Sequence, residues 1–435
     1  MIGSHQQPGL SPTLPSPMGL RSRLLNQELP VASLADQFNF QSEAIFTTNT
    51  KAQLWDMNIP GKQDDILDNT ALRAKLAHYE SFWESDPKGT KIATPIPNLV
   101  LVTVLGEVIH GRSAPATFQI RRDTLQYLIE VTGFGSATTQ KFLTTLAPYV
   151  HSYLQYDDDD EMPTYMTLVF RCPKNSNCVV GTIRVQLATR NCFTFLICND
   201  VRDIQSIRSY CATNTDLLKI HPLYLLSFVY ESRYHAWMNW FAKLWREVVE
   251  VETVTNTSGP QWKTREMDAE RFKALSKADF LLNQIHSTHV EVCHGQTVML
   301  FAAKFGKFCS EVLIEMEKRR QDLGYSKLSM RHRSGLLDSF DSTLVRCDFV
   351  ADRMAELSNR LTQNINVSYQ LIAQKDSKTN LAIAALTARD SQTVKGIAIL
   401  TLLFLPSTLV AVCLKMLSAR SPLLLVTEAD AKYHS

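Results

Sequence analysis

The sequence predicts an α+β protein: an N-terminal α/β cytosolic domain, then long stalk helices, then one C-terminal transmembrane helix. Valine-rich apolar runs in the first half are typical of strands buried on both faces. Apolar residues in the second half recur at helical spacing with few breaks. Near the end, the nineteen residues of Gly396–Leu414 carry no charge. A helix of that length rises about 28 Å, close to the thickness of the hydrocarbon core of a bilayer.

The bulk composition is that of a globular protein with a core, because 45% of the 435 residues are apolar and 20% are charged. The formal net charge is only +2, so we expect no nucleic-acid partner. The signatures G-x-x-x-x-G-K-[ST], G-x-S-x-G and H-E-x-x-H do not occur in the sequence. We therefore predict that the chain is not an enzyme, and we expect neither catalytic residues nor a cofactor.

The domain organisation follows from changes in composition along the chain. The N-terminal stretch is rich in Pro, Ser, Gly and Gln, which indicates disorder. The predicted parts are a disordered tail over residues 1–40, an α/β cytosolic domain over 41–215, a helical region with a long stalk helix over 216–395, a transmembrane helix over 396–417, and a short tail over 418–435.

The α/β domain is predicted from apolar runs, which indicate strands, and from capping residues, which indicate helices. The predicted strands are Leu99–Leu105, Phe118–Ile120, Tyr165–Arg171, Val179–Thr189 and Cys192–Cys198, the last two joined as a hairpin by an Arg190-Asn191 turn. The predicted helices are Ile66–Trp83 with Asp68 or Asn69 as cap, a helix capped by Asp123 that ends near Gly133, and Thr138–His151.

Two sets of polar residues could bind a metal ion. Asp157–Glu161 is a run of five acids, which is either a solvated loop or a divalent-ion patch. His286, His289 and His294 share one predicted helix, either as exposed residues or as ligands on one face. In both cases the solvated alternative is favoured, and no metal ligand is assigned.

The helical half is predicted to contain three long helices. The first is His221–Glu252, in which an aromatic and apolar stripe is typical of a core; the second is Met267–Arg319. Breaks are expected at Thr255–Pro260 and near Leu323–Tyr325. No Pro or Gly lies between Gly335 and Gly396, so the third helix is a stalk of about 90 Å that continues into the membrane segment. Near-heptad spacing, typical of a coiled coil, is found at Val350, Met354, Leu357, Leu361, Ile365, Ser368 and Ile372.

The membrane segment carries hydroxyl groups at regular positions. One helix face holds Val394, Ile397, Thr401, Leu405 and Thr408. Several copies around an axis would form a narrow, mostly apolar lining, and such a constriction can gate a pore by dewetting. The same face could equally contact lipid or pack against another helix. Pro406 lies within the segment, where a partner helix or a hydroxyl such as that of Thr401 must satisfy the carbonyl that proline leaves without a donor. A third alternative is that the segment forms the buried core helix of a soluble protein.

The chain resembles the CorA-type divalent cation transporters, in the divergent fungal branch, over roughly residues 95–416. The match is specific at Val394-Lys395, Phe404-Leu-Pro406-Ser-Thr408 and Ala411, and looser at His221-Pro222, Glu231-Ser-Arg233, Glu252-Thr-Val-Thr, Tyr369–Asp376, Asn380 and Asp390-Ser391. The resemblance implies a homopentamer that carries magnesium across a membrane. It also implies a pore lined by Val394, Ile397, Thr401, Leu405 and Thr408.

Two features depart from that family. Its Gly-Met-Asn motif reads Lys415-Met416-Leu417 here, which replaces an ion-facing asparagine with leucine and adds a positive charge. The eighteen residues after Leu417 contain no second span, so we expect a truncated or one-span relative. The alternative function is therefore a single-span, membrane-anchored helical scaffold or oligomerising protein without transport.

We expect an integral membrane protein in contact with lipid, with its N-terminal part in the cytosol. Nine cysteines are present, and the closest pairs have the spacing C-x5-C rather than the C-x2-C of a zinc knuckle. We interpret them as reduced thiols, which favours a cytosolic location. The basic residues on the two sides of the span are nearly balanced: Arg389 and Lys395 before it, Lys415 and Arg420 after it.

Overall fold

A computed structural model describes residues 46–59, 65–79, 98–107, 117–134, 148–156, 162–173, 179–255 and 278–426. The predicted tail over residues 1–40, the acidic run Asp157–Glu161 and the expected break after Thr255 lie outside these ranges.

The described residues form a mixed sheet followed by long helices, which confirms the α+β class at this level. The strands are β1 Ala52–Asp56, β2 Leu99–Glu107, β3 Thr117–Phe118, β4 Tyr149–Tyr156, β5 Pro163–Arg171, β6 Val179–Gln186 and β7 Cys192–Cys198. The helices are α1 Asn69–Ala77, α2 Arg122–Thr132, α3 Val201–Thr213, α4 Thr215–Ile220, α5 Leu223–Thr255, α6 Ala278–Asp322 and α7 Met330–Val426.

The sheet has the order β1-β2-β7-β6-β5-β4, with β3 paired to β2. The β2–β7 pair is parallel, and the other pairs are antiparallel. The predicted strand at Leu99–Leu105 is confirmed as β2, and its first four residues are almost fully buried. The predicted hairpin is also confirmed, because β6 and β7 pair around a turn in which Arg190 has φ 64.

Asp68 caps α1 as predicted, because its carboxylate accepts a hydrogen bond from the Ala71 N–H at 2.8 Å. The predicted Asp123 cap is wrong, since α2 begins at Arg122 and its N-cap residue is Arg121, two residues earlier. The backbone N–H of Arg121 donates to Thr50 Oγ1, and its guanidinium holds Asp123 at 3.0 Å. The end of α2 at Gly133, with φ 64, agrees with the prediction.

The predicted helix Thr138–His151 is wrong where it can be judged, because Tyr149–His151 belong to strand β4. Tyr149, His151 and Tyr153 alternate along β4 and lie side by side; the first two rings are tilted, the last two stacked, with centroids 6.0 and 6.2 Å apart. Pairing with β5 from Tyr149 opposite Arg171 onward supplies the backbone hydrogen bonds. Residues 138–147 lie outside the described ranges.

By their contacts, the described residues fall into two compact units. The first unit contains the residues up to Glu247 together with His289–Asn359, and the second contains Val248–Thr288 and the residues from Arg360 onward. In the first unit the Phe305 ring on α6 packs against Phe170 of the sheet at 5.4 Å and against Tyr230 of α5 at 5.3 Å. Helix α6 thus joins the sheet to the helices of this unit.

The predicted aromatic stripe on α5 belongs to the core. Its most deeply buried members are Leu225, Leu226, Val229, Trp237, Leu244 and Val248. The predicted break after α6 is present, and Gly324 there has φ 79. Helix α7 begins at Met330, earlier than the predicted Gly335, and continues without interruption to Val426.

The buried positions of α7 alternate in steps of four and three residues. In the first unit they are Leu336, Phe340, Thr343, Cys347, Val350, Met354 and Leu357; in the second they are Leu361, Asn364 and Ser368. The sequence predicted Ile365 in place of Asn364, but Ile365 is only half-buried and Asn364 is 1% exposed. The Asn364 amide donates to the Arg360 carbonyl at 2.9 Å, which offsets the cost of burying it. The guanidinium of Arg360 is held in turn by both oxygens of Glu252, at 2.7 and 2.6 Å.

Candidate membrane segment and lining face

The Gly396–Leu414 segment lies in the second unit, within α7, and every residue in it is exposed. Helix α7 contains an apolar window with a mean hydropathy of 2.5, and none of that window is buried. By length and composition this helix can cross a membrane. A core helix of a soluble protein would be mostly buried, so the third alternative from the sequence disagrees with the structure.

The five residues predicted to line a pore lie on one face of α7, and all five are exposed. The Thr408 hydroxyl donates to the Phe404 carbonyl at 2.8 Å, and the Thr401 hydroxyl donates to the Ile397 carbonyl. Since each hydroxyl proton is used within the helix, the oxygen lone pairs remain for an outside partner.

The expected role of Thr401 beside Pro406 is wrong. Proline at position 406 removes the N–H that would reach the carbonyl of Leu402, four residues earlier. Thr401 donates to the carbonyls of Ile397 and Ala398 instead, and Ser407 donates to those of Leu403 and Phe404. In the described chain these hydroxyls therefore bond to carbonyls of their own helix on both sides of the proline without reaching Leu402.

The same face continues towards the N-terminus beyond the predicted residues. Stepping back from Val394 by four and three residues gives Asp390, Thr387, Ile383, Asn380 and Asp376, all of them exposed. We call the set from Asp376 to Thr408 the lining face. Four of the five added positions carry an oxygen on the side chain. Sequence reasoning noted Asp376, Asn380 and Asp390 separately, and extending the 3-4 spacing upstream of Val394 would have joined them to the face.

The degenerate motif Lys415-Met416-Leu417 lies on the same unbroken helix, and all three residues are exposed. Steps of four and three residues lead from Thr408 through Val412 to Lys415. Lys415 therefore continues the lining face; Met416, four residues beyond Val412, borders the same face, and Leu417 turns away from it.

The histidines considered as metal ligands do not form a metal site in the part of the chain that the structure describes. Among the described residues, no three His, Cys, Asp or Glu side chains are grouped closely enough to hold a metal ion. His289 Nε2 lies 3.5 Å from Ser358 Oγ, and the His294 ring packs edge-on against Trp240 at 5.7 Å. His286 is exposed.

A buried charged cluster in the first unit was not found from the sequence. The Glu317 carboxylate on α6 lies 3.0 Å from the Arg190 guanidinium and 3.4 Å from His221 Nε2, and it accepts the Leu328 N–H at 2.8 Å. Arg320 of α6 lies 3.8 Å from the same carboxylate and donates to the carbonyls of Leu187 and Ala188. We call these side chains the Glu317 cluster. It fastens the β6–β7 hairpin, the start of α5 and the segment before α7 to the end of α6.

The pKa values in the Glu317 cluster follow from burial and charge. Burial alone would raise the pKa of Glu317, but the His221 hydrogen bond, the Arg190 charge and the Leu328 N–H together lower it to about 2. Burial lowers the pKa of His221 to about 4. The ring is therefore neutral at neutral pH; its Nδ1 accepts the Leu223 N–H at 3.2 Å, so its Nε2–H faces Glu317. Glu317 and Arg190 are 127 positions apart, which explains why no local pattern revealed the pair.

No family model matches this chain, and no curated protein matches it. Over the residues that the structure describes, the fold and the site define an α+β protein with one helix that can cross a membrane by its length and composition.

Proposed function

We propose that this chain is a membrane-anchored subunit of a CorA-like metal-ion transporter, with magnesium as the transported ion. Several copies of α7 surround an axis, five by the family resemblance, and turn their lining faces towards it. Lipid surrounds the outside of the apolar segment, and the N-terminal domain lies in the cytosol.

The observation that carries this proposal is the exposed, phased lining face. Asp376, Asn380, Thr387 and Asp390 offer carboxylate, amide and hydroxyl oxygens, the ligand types that Mg²⁺ and its hydration shell prefer. Above them Val394, Ile397 and Leu405 are 64%, 59% and 67% exposed, too apolar and too regular to be left in water. An apolar constriction that follows a polar vestibule is a recurring design of channels.

Spacing within the face supports an arrangement around an axis. From Asp376 to Ile397 the steps alternate strictly between four and three residues, as they do when a helix keeps one face towards a partner along its length. The buried part of α7 shows the same alternation where its partners lie within the chain. The exposed part of α7 has the same 4-3 spacing but packs against no partner among the described residues. Further copies of the same helix could pack against this face.

The second candidate is a membrane-anchored scaffold that oligomerises without transport. It is favoured by the motif position, where Lys415 and Leu417 replace the uncharged glycine and the ion-facing asparagine of the family that the sequence resembles. Both candidates need the lining faces to meet, and they differ in whether ions pass.

Disulfide crosslinking and ion flux together separate the candidates. Ile397 and Ile399 are matched, because they are 59% and 61% exposed and only Ile397 lies on the lining face. In a chain whose exposed Cys293 and Cys413 are replaced by serine, Ile397→Cys is expected to crosslink between copies in membranes and Ile399→Cys is not.

Magnesium uptake into liposomes containing the unmodified chain gives the second readout. Crosslinking with uptake above that of protein-free liposomes supports the transporter. Crosslinking without uptake supports the scaffold. Equal crosslinking of the two variants would contradict both candidates.

A further inference from the structure

We infer that Lys415 is a specificity-determining residue that opposes the passage of divalent cations at the C-terminal end of the lining face. This inference rests on the proposed transporter assembly and concerns the same face.

The helical phase of α7 places Lys415 on the same side as the lining face. Helix α7 runs without a break through residue 415, so the phase set by Val394, Ile397 and Thr401 persists to its end. From Thr408 the same steps reach Val412 and then Lys415, about 10 Å further along the axis. In an assembly of several copies, each Lys415 would therefore face the same axis as Thr408 and its ammonium group would join a ring.

Charge along the face is asymmetric. Asp376 and Asp390 place carboxylates at its N-terminal end, and Lys415 places an ammonium at the other, about 37 Å from Asp390. The positions between Asp390 and Lys415 on the face are uncharged. Within the part of the chain that the structure describes, no carboxylate forms an ion pair with Lys415.

These charges act on a doubly charged ion in opposite directions. Carboxylates concentrate Mg²⁺ at one entrance, while a ring of ammonium groups beside an apolar, low-dielectric wall repels it at the other. Since the repulsion scales with the ion's charge, Mg²⁺ is opposed twice as strongly as a monovalent cation at the same distance. Lys415 thus limits flux through its charge.

The test compares Mg²⁺ uptake by liposomes that contain the full chain, Lys415→Met or Lys395→Met. Both lysines are exposed and flank the apolar segment, but Lys395 lies two positions from Ile397 and so points away from the lining face. At low ionic strength we expect Lys415→Met to raise Mg²⁺ uptake at least about tenfold and Lys395→Met to leave it within about twofold.

Salt dependence distinguishes charge from packing. At about 1 M of a monovalent salt the Debye length falls to about 3 Å, so the ratio between Lys415→Met and the unmodified chain should approach one. A ratio that does not change with salt would overturn the electrostatic inference, because it would point to altered packing.

The other outcomes separate a failure of the Lys415 inference from a failure of the transporter proposal. Equal uptake by the unmodified chain and Lys415→Met, both above protein-free liposomes, overturns this inference and leaves the transporter proposal intact. An equal increase from Lys395→Met overturns it as well, since net surface charge would explain the effect. No uptake by any variant overturns the transporter proposal and this inference together.

Discussion

The N-terminal and C-terminal parts of α7 have the same 4-3 spacing, but only in the N-terminal part are the residues at this spacing buried by the rest of the chain. From Leu336 to Ser368 the positions in 4-3 spacing are buried inside the chain. From Ala373 to Ser418 every residue is exposed, although the same spacing continues between Asp376 and Ile397. Periodicity therefore shows which residues share a face, but it does not show whether their partner belongs to the same chain.

The largest effect is expected where the packed part of α7 is fastened. Glu317→Ala removes the carboxylate that faces Arg190 and Arg320, whose side chains are only 12% and 3% exposed. Two buried cations without a counter-charge should cost about 3–5 kcal/mol of unfolding free energy. Urea denaturation of the detergent-solubilised chain measures this loss. Glu311→Ala, at an exposed glutamate on the same helix, is the control and should leave the unfolding free energy nearly unchanged. An equal decrease in this control would contradict a specific contribution of the Glu317 cluster.

A matched leucine pair compares the two parts of α7 directly. Leu357 is fully buried and Leu386 is 60% exposed. Leu357→Ala should cost about 2–5 kcal/mol because it leaves a cavity. Leu386→Ala in the solubilised chain should stay within about 0.5 kcal/mol. Denaturation of both variants checks this, and a comparable loss for Leu386 would show that the exposed part is packed after all.

Acidification should weaken the packed part. The folded-state pKa values of His221 and Glu317 are both lowered, to about 4 and about 2, from ordinary values of 6.5 and 4.5. Because the unfolded chain binds the protons first, their stabilisation is complete above about pH 6.5 and is lost as the pH falls through both folded pKa values. We expect a decrease of about 2–3 kcal/mol between pH 7 and pH 4. Thermal unfolding against pH measures it, and His221→Gln should flatten the curve between pH 6.5 and pH 4. If stability depends on pH in that variant as it does in the unmodified chain, groups other than His221 cause the loss of stability.

The smallest effect concerns two helical glycines. A Cβ at Gly306 of α6 would lie 2.5 Å from the Tyr230 hydroxyl, which is buried and donates to the Ala302 carbonyl at 3.0 Å. Gly306→Ala should therefore cost about 1–3 kcal/mol through overpacking. At Gly396 nothing lies within 4 Å of such a Cβ, so Gly396→Ala should stabilise the helix by up to about 1 kcal/mol. The unfolding free energy should fall in Gly306→Ala and rise in Gly396→Ala. A decrease in both variants would mean that Gly396 is also packed.

Local patterns predicted the elements whose hydrogen bonds and packing are close in sequence. The valine run of β2, the hairpin around Arg190 and the Asp68 cap are of this kind. Strand β4 was missed because its identity depends on pairing with β5. The Glu317 cluster was missed because it joins residues that only the tertiary fold brings together. Asn364 was passed over for Ile365 because polarity suggested exposure, whereas a hydrogen bond to Arg360 makes burial of the amide possible.

The lining face was half predicted. Its apolar upper part came from the membrane segment, while the oxygen-bearing part below was missed because the 3-4 spacing was not extended upstream of Val394. Lys415 was recognised as a departure from the family motif, and its place on the same face follows from the unbroken helix.

Because α7 is continuous, residues at its two ends keep a fixed rotation relative to each other about the helix axis. One alanine inserted after Ser391 would turn everything upstream by about 100° relative to Val394, so carboxylates and apolar residues would no longer share a side. Seven inserted residues would return them to within about 20° of their original alignment, at the cost of about 10 Å of added length. The chain thus encodes an angular relation as well as a distance, and the two can be changed separately.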